Sequence, residues 1–157
     1  MTNNIQPQLS CYHIPIADTG YFSPLIADFL SGRPPLRSFY EYHPTEPDIK
    51  KAMLLKAEQP LRRDILADAL YRQYGALEIR EEVRANIGLL QATNTFTVCT
   101  AHQPNIFTGY LYFVYKILQT IKLAQDLQRQ YPGNHFVPVY YMGSEDADLD
   151  ELGSIFL

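Results

Sequence analysis

The hydrophobic pattern changes character along the chain. Between residues 47 and 91, apolar residues recur three and four positions apart in three segments separated by Pro or Gly: 47–59, 60–75 and 76–91. This spacing puts apolar side chains on one face of a helix, so it predicts three amphipathic helices. The first 44 residues are rich in Pro, Tyr and Ser, and predict extended or looping chain around one short helix.

That short helix has a defined start and end. Ser23 is its expected N-cap, Pro24 its first residue, and Gly32 its stop.

The segment 60–75 carries a more detailed expectation. Its expected buried stripe is Leu61, Ile65, Ala69 and Leu70. Its charged residues are expected in solvent on the other faces: Arg62, Arg63, Asp64 and Asp68.

After Asn94 the period becomes two. The short run TFTVCT alternates Phe96 and Val98 with β-branched threonines, which predicts a strand. Residues 111–130 have a broad apolar face and predict a helix of twenty residues, and FVPVYYM is apolar on both alternating faces, which is typical of a strand in a parallel sheet. Strand, helix and strand together predict a βαβ unit and an α/β fold.

Polar side chains follow both predicted strands. The first strand leads into His102, Gln103, Asn105 and Thr108; the second leads into Ser144, Glu145, Asp146, Asp148 and Asp150. Parallel strands open their carboxyl ends at one sheet edge, where ligands bind in open α/β sheets. The helix that opens near Gly109 also directs its free N–H groups to this edge, which favours an anion.

Structural explanations stand beside these functional ones. His102 also fits a hydrogen-bonded loop histidine, Thr108 an ordinary helix N-cap, and the acidic run an ordinary solvated turn. Lys116, in the second helical turn, is either a surface lysine or one that reaches the crevice. The aromatic residues of the same helix are expected as core and crevice wall: Tyr110, Tyr112, Phe113 and Tyr115.

Composition narrows the function class. Thirteen Lys and Arg against seventeen Asp and Glu give a net charge of −4, and no basic run exceeds two residues, so nucleic acid is not an expected partner. No continuous apolar run reaches the roughly 18 residues of a membrane span, and the amino terminus lacks a signal-peptide layout, so a cytoplasmic location is expected. Cys11 and Cys99 are expected as reduced thiols.

Known ligand motifs are absent from the sequence. It has neither G-x-G-x-x-G nor a P-loop. The run that starts at Asp146 fails as an EF-hand, because Glu151 replaces the required glycine and Leu157 the required glutamate. No metal is therefore predicted.

Two long segments resemble the cysteine-adding enzymes of bacillithiol biosynthesis, also called cysteine ligases. They are TAHQPNIFTGYLYFVYK at 100–116 and VPVYYMGSEDADLDE at 137–151, and the stretches FLSGRPPLRSFYEYHP and RRDILADALYRQY are similar to the same family. The resemblance implies a Rossmann-like, nucleotidyltransferase-like parallel sheet. Residues 1–93 are then expected as an extended and helical region packed on the core, and residues 94–157 as the first βαβ, cut short in a third strand at 155–157.

The resemblance also implies a reaction, the joining of L-cysteine to glucosaminyl malate through an amide in the last step of bacillithiol biosynthesis. It implies a coiled coil and a homodimer for the full-length form, and a fragment of this length is expected to be inactive alone. Amide formation from a free carboxylate is uphill in water, so ATP is expected as the activating cofactor. The alternatives are a nucleotide-binding Rossmann-like module without ligase activity and an inactive fragment.

The loop departs from the H-x-G-H motif of the nucleotidyltransferase superfamily, since it reads His102-Gln103-Pro104-Asn105. His102 is expected to bind an anion, and the acidic residues to orient the amine and take its proton: Glu145, Asp146 and Asp148. The expected substrate-binding or nucleotide-binding residues are Gln103, Asn105, Thr108, Gly109, Ser144 and Lys116.

Overall fold

The computed structural model describes residues 10–106 and 109–146. The chain divides into two compact units, residues 1–52 and residues 53–157, and the division falls inside a helix. The predicted boundary between residues 93 and 94 stays a prediction, as does the third strand at 155–157, which lies outside the described residues.

The first unit contains the predicted short helix. Helix α1 spans Pro24–Leu30 with Ser23 as its N-cap, and the chain turns away at Gly32, whose φ is +66°. Two 3-10 helices flank it at Ile16–Asp18 and Pro34–Phe39, and helix α2 begins at Glu46 and ends at Ala57.

A buried carboxylate organises the first unit. Asp48 accepts a hydrogen bond from the backbone N–H of His43 at 2.9 Å and pairs with Lys51 at 3.0 Å. The His43 N–H, followed by Lys51, lowers the pKa of Asp48. The imidazole of His43 is bonded to the carbonyl of Phe29 at 2.6 Å, so these contacts tie the start of α2 to α1.

The second unit is built around a βαβ, as the pattern predicts. Strand β1 spans Thr95–His102, helix α5 spans Leu111–Gln130, and strand β2 spans His135–Met142. Two further helices precede the sheet, α3 at Arg63–Tyr74 and α4 at Glu81–Leu89. Both are shorter than the segments from which they were predicted: α3 leaves out Pro60 and Gly75, and α4 begins only after Arg80, whose backbone is extended.

The two strands are parallel and in register from Thr95 opposite His135 to His102 opposite Met142. Helix α5 connects them and packs on both. The rings of Phe96 and Phe136 stack on the sheet at 5.9 Å between centroids. The core of this unit consists of Ala67, Ile87, Leu90, Ala124, Leu127, Phe136 and Val137. The described part of the fold is thus α/β with a two-stranded parallel sheet.

Strand β2 is buried only in its first half among the described residues. Phe136 and Val137 are buried, whereas Tyr141 is 55% and Met142 53% exposed at the end that leads into the acidic loop. No helix in the described part of the chain is both long and apolar enough to cross a membrane.

The prediction for α3 was wrong about its inner face. Its fully buried residue is Ala67, while Leu61 and Ile65 are 46% and 51% exposed. Arg63, expected in solvent, is instead part-buried and donates to the carbonyls of Leu90 and Thr95 at 3.2 and 3.0 Å. Leu90 is the C-cap of α4, so the guanidinium satisfies a carbonyl that the helix leaves open. The arginine side chain can pack its long apolar stem while its charged tip forms hydrogen bonds. An analysis of periodicity counts only the charge, so it assigns such a residue to the surface.

Arg63→Ala should therefore destabilise the second unit while its neighbour Arg62 tolerates the same change. Two part-buried carbonyls lose their donor, which costs about 1–3 kcal/mol. Arg62 is bound to Asp64 on the exposed surface, so Arg62→Ala should leave the unfolding midpoint unchanged. Urea unfolding followed by circular dichroism measures both, and equal midpoints for the two variants would contradict the role given to Arg63.

Candidate functional site

The loops after β1 and β2 begin side by side. His102 and Met142 are paired at the ends of the strands, and the backbone N–H of Gly143 donates to the carbonyl of His102 at 2.9 Å. Tyr140 adds a contact from its hydroxyl to the same carbonyl at 3.3 Å. This is the carboxyl edge of a parallel pair, where ligands of open α/β sheets bind.

His102 lies at the centre of a polar cluster at this edge. Its Nε2 is 2.6 Å from the hydroxyl of Tyr112, and its Nδ1 is 2.9 Å from the side-chain nitrogen of Asn105. Asn105 also donates to the carbonyl of Gln103 at 3.0 Å. The imidazole packs between the rings of Tyr112 and Phe113, at 5.3 and 5.4 Å between centroids. We call His102, Gln103, Asn105 and Tyr112 the histidine cluster.

Gly109 leaves room for this cluster. A Cβ added there would lie 2.6 Å from Cγ and from Oδ1 of Asn105, closer than any side chain allows. Its φ is +64°, in the left-handed region that glycine adopts without strain. Gly109 therefore both allows the turn and leaves the space that the side chain of Asn105 occupies.

The alternative interpretation of Thr108 as helix N-cap was wrong, since α5 begins at Leu111 and its N-cap is Tyr110. Thr108 itself lies outside the described residues. The cap position falls two residues later because the Gly109 turn intervenes before the chain becomes helical. The first turn of α5 contains Tyr112, so the N–H groups that open the helix lie next to the histidine cluster.

Lys116 contacts the backbone near the end of β1. Its ammonium donates to the carbonyl of Ala101, the residue before His102, at 2.5 Å. Of the two possibilities left open by the sequence, the structure shows the lysine directed to the strand end.

The carboxylate of Glu145 is directed elsewhere. Tyr140 packs edge-to-face on Phe113 of α5, so Tyr141 points to the opposite face of the sheet. Glu145 accepts a hydrogen bond from the hydroxyl of Tyr141 at 2.8 Å and is thereby drawn to that opposite face, away from the histidine cluster. Ser144 and Asp146 are exposed in the turn after β2, and Asp148 lies outside the described residues.

The contact between Glu145 and Tyr141 changes the acidity of both groups. The pKa of Glu145 is lowered, first by its own backbone N–H and then by the Tyr141 hydroxyl. The pKa of Tyr141 is raised, chiefly because its proton is held by the carboxylate.

Sequence reasoning missed Tyr112 and Tyr141 as polar participants. It assigned Tyr112 to core and crevice wall, and Tyr141 to a strand that is apolar on both faces. The signal for Tyr112 was its place in the first turn of the helix that follows the polar loop. Within residues 10–106 and 109–146, no group of three His, Cys, Asp or Glu side chains is close enough to hold a metal ion.

Comparison with known proteins identifies the family. The model for the N-terminal Rossmann-like domain of the bacillithiol biosynthesis protein BshC matches residues 9–157. The chain is 45% identical over 137 residues to a protein of Flavobacterium psychrophilum, covering 85% of this chain and 26% of the relative. It is 44% identical to one of Christiangramia forsetii, covering 86% and 26%, and 30% identical to one of Bacillus cereus, covering 85% and 24%.

All three relatives carry the name "Putative cysteine ligase BshC". The chain belongs to the BshC family and corresponds to the N-terminal Rossmann-like domain of that family. This finding confirms the resemblance seen in the sequence. It spans about a quarter of the length of the curated relatives it matches, at 24–26% for these three.

Gly109→Ala should disrupt the histidine cluster. Alanine at positive φ costs about 1–2 kcal/mol, and its Cβ would displace Asn105 from His102. We expect a lower midpoint of thermal unfolding and a shifted imidazole signal for His102 in the NMR spectrum. Gly133→Ala is the matched control, because a Cβ there meets nothing within 4 Å. Identical behaviour of the two variants would show that Gly109 has no such role.

The pair of Glu145 and Tyr141 gives a pH-dependent prediction. Because the pKa of Glu145 is lowered in the folded state, its stabilising effect is present above its ordinary value of 4.5 and is lost as the pH falls through the lower folded value. In Glu145→Gln the pKa of Tyr141 should return toward 10.0. A titration of ¹³C-labelled tyrosine, with Tyr141→Phe to assign the signal, measures this shift. A pKa of Tyr141 that does not change in Glu145→Gln would contradict the contact.

Proposed function

We propose that this chain is the Rossmann-like part of a ligase that joins L-cysteine to glucosaminyl malate in the last step of bacillithiol biosynthesis. The family and the names of its relatives support a cysteine ligase of bacillithiol biosynthesis. The observation that carries the choice of site is the histidine cluster at the carboxyl edge of the sheet, beside the start of α5. This is the polar carboxyl edge of a parallel sheet, where small substrates bind in open α/β folds.

The histidine cluster and the first turn of α5 form the proposed anion site. Peptide N–H groups at a helix start and neutral polar donors both favour a carboxylate or a phosphate. The cysteine carboxylate is the group that becomes the amide, and a negative oxygen on it is the charge that such donors stabilise. Gln103 and Gly109 contribute through the loop that joins β1 to α5, and Lys116 adds a positive charge at the strand end.

The acidic loop is proposed to receive the amine. The amino group of glucosaminyl malate is an ammonium ion at neutral pH, and it must lose a proton before its nitrogen can attack. A carboxylate of this loop, Glu145, Asp146 or Asp148, would accept that proton, with Ser144 as a hydroxyl partner for the sugar. The new C–N bond forms as the C–O bond of the activated carboxyl group breaks. The contact of Glu145 with Tyr141 favours Asp146 for the proton transfer, because the carboxylate of Asp146 is exposed in the turn.

ATP is the proposed activating cofactor, since the leaving oxygen of a free carboxylate must be made a better leaving group. The described residues fit one anionic group rather than a full triphosphate cradle. Lys116 is bonded to a backbone carbonyl, and the loop contains a single glycine in place of a glycine-rich turn. The residues of the histidine cluster are those that would form the site for a single phosphate or carboxylate: His102, Gln103, Asn105 and Tyr112. The complete protein is further proposed to be a cytoplasmic homodimer without a nucleic-acid partner.

His102→Ala should lower kcat/KM of the ligase by roughly 10- to 100-fold, because the histidine cluster loses its central side chain and with it about one hydrogen bond to the charged group. The assay uses the polypeptide of the complete reading frame with glucosaminyl malate, L-cysteine and ATP, and detects the conjugated thiol by mass spectrometry. The matched control is His135→Ala, because His135 lies at the opposite, amino end of β2. Loss of activity in both variants alike would assign the effect to folding rather than to the site.

Asp146→Ala tests the acidic loop in the same assay and should abolish product if Asp146 is the base. Absence of product from a well-folded wild-type protein that binds ATP would replace the ligase with a nucleotide-binding module. Absence of both product and ligand binding would indicate an inactive fragment.

A further inference from the structure

His102 has little left to offer a ligand directly. Both of its ring nitrogens already have partners within the cluster, Tyr112 at Nε2 and Asn105 at Nδ1. The carbonyl of Gln103 also lies 3.1 Å from Nδ1. The direction in which protons are shared among these groups therefore decides which of them presents a donor to the crevice.

The side-chain amide of Asn105 favours one direction. Its nitrogen carries two hydrogens, and it has two acceptors at suitable distance, the carbonyl of Gln103 at 3.0 Å and Nδ1 of His102 at 2.9 Å. A reversed amide would place its oxygen against the Gln103 carbonyl, where two acceptors would face each other. We assign the hydrogen bond of Nδ1 to its nearer partner, the Asn105 amide at 2.9 Å, rather than to the Gln103 carbonyl at 3.1 Å. With this assignment Nδ1 is an acceptor, and the neutral imidazole carries its proton on Nε2.

Nε2–H then donates to the hydroxyl oxygen of Tyr112 across the 2.6 Å contact. Because the oxygen accepts this bond, the hydroxyl proton of Tyr112 remains available to another acceptor. The side chain is 51% exposed, and its ring is held by stacking on Tyr110 at 6.0 Å with 13° between planes. The hydroxyl is therefore an ordered donor in the first turn of α5.

We propose that Tyr112 contacts the substrate, donating its hydroxyl proton in a hydrogen bond to an anionic oxygen, while His102 and Asn105 act as positioning residues. This inference rests on the proposed function, and it names the group that touches the ligand at that site. The class of ligand atom is a carboxylate or phosphate oxygen, for which a neutral hydroxyl polarised by a neighbouring donor is a suitable partner. Gly109 supports the same arrangement of hydrogen bonds, because only a residue without Cβ leaves Asn105 in place.

The direction of the hydrogen bonds can be observed without any ligand. The imidazole ¹⁵N spectrum of the labelled chain should show His102 protonated at Nε2 and unprotonated at Nδ1. In Asn105→Ala, which removes the donor to Nδ1, this preference should be lost, and circular dichroism verifies that the variant folds. A neutral His102 that carries its proton on Nδ1 in the wild-type chain would overturn the proposal.

Ligand contact is measured by titration with inorganic phosphate and separately with L-cysteine, followed by the NMR signals of the cluster. Tyr112→Phe should lower the affinity for whichever of the two anions binds by roughly tenfold, since it removes one hydrogen bond to a charged oxygen and keeps the ring. The control is Tyr131→Phe at the far end of α5, whose hydroxyl is buried without a partner among the described residues. That variant should bind as the wild type does.

The two probes separate the source of the anion. If Tyr112→Phe lowers the affinity for cysteine alone, the anion that Tyr112 contacts is the substrate carboxylate. If it lowers the affinity for phosphate alone, the anion is a nucleotide phosphate. Either result supports the proposal. Equal affinity of wild type and Tyr112→Phe for both probes, including no binding by either, overturns it. Product formation that does not depend on Tyr112 would refute this inference and leave the ligase intact, whereas Tyr112-dependent binding without product would do the reverse.

Discussion

The parallel pairing of two strands is the constraint on which the candidate site depends. The pairing runs in register to His102 and Met142 and continues one residue further, in the bond from the Gly143 N–H to the His102 carbonyl. Because the strands run the same way, both following loops must start at one edge of the sheet. The connecting helix α5 begins at this edge and runs back to the opposite edge, where β2 starts. Both loops and the first turn of the helix therefore start at one edge of the sheet.

Packing on either side of the sheet then divides the chemistry between two faces. The face covered by α5 holds the histidine cluster, wrapped by the rings of Phe113 and Tyr140. The other face receives Tyr141 and, through it, the carboxylate of Glu145. A reaction that needs an anion site and a base fits such an edge, because a substrate spanning the strand ends can present one group to each face.

Most of the second unit follows from local rules, and the site does so only in part. The period of two and the long amphipathic stretch predicted β1, α5 and β2 because burial of one face determines register over many residues. The contacts of Arg63 and Tyr112 were not predicted because each side chain is amphipathic. One end of the side chain packs, and the other forms a hydrogen bond to a group that is distant in sequence. The reach of Asn105 toward His102 depends on a glycine four residues later, and no periodicity contains that relation.

The contact between Gly109 and Asn105 also links two positions in evolution. With Asn105 present, a Cβ at residue 109 would overlap the amide, so a mutation at 109 is blocked unless 105 becomes smaller first. A smaller residue at 105 would in turn release the proton arrangement around His102. The two positions are thus expected to change together or not at all, and the order of the steps matters. Reprogramming of this loop for a different substrate would have to begin at residue 105.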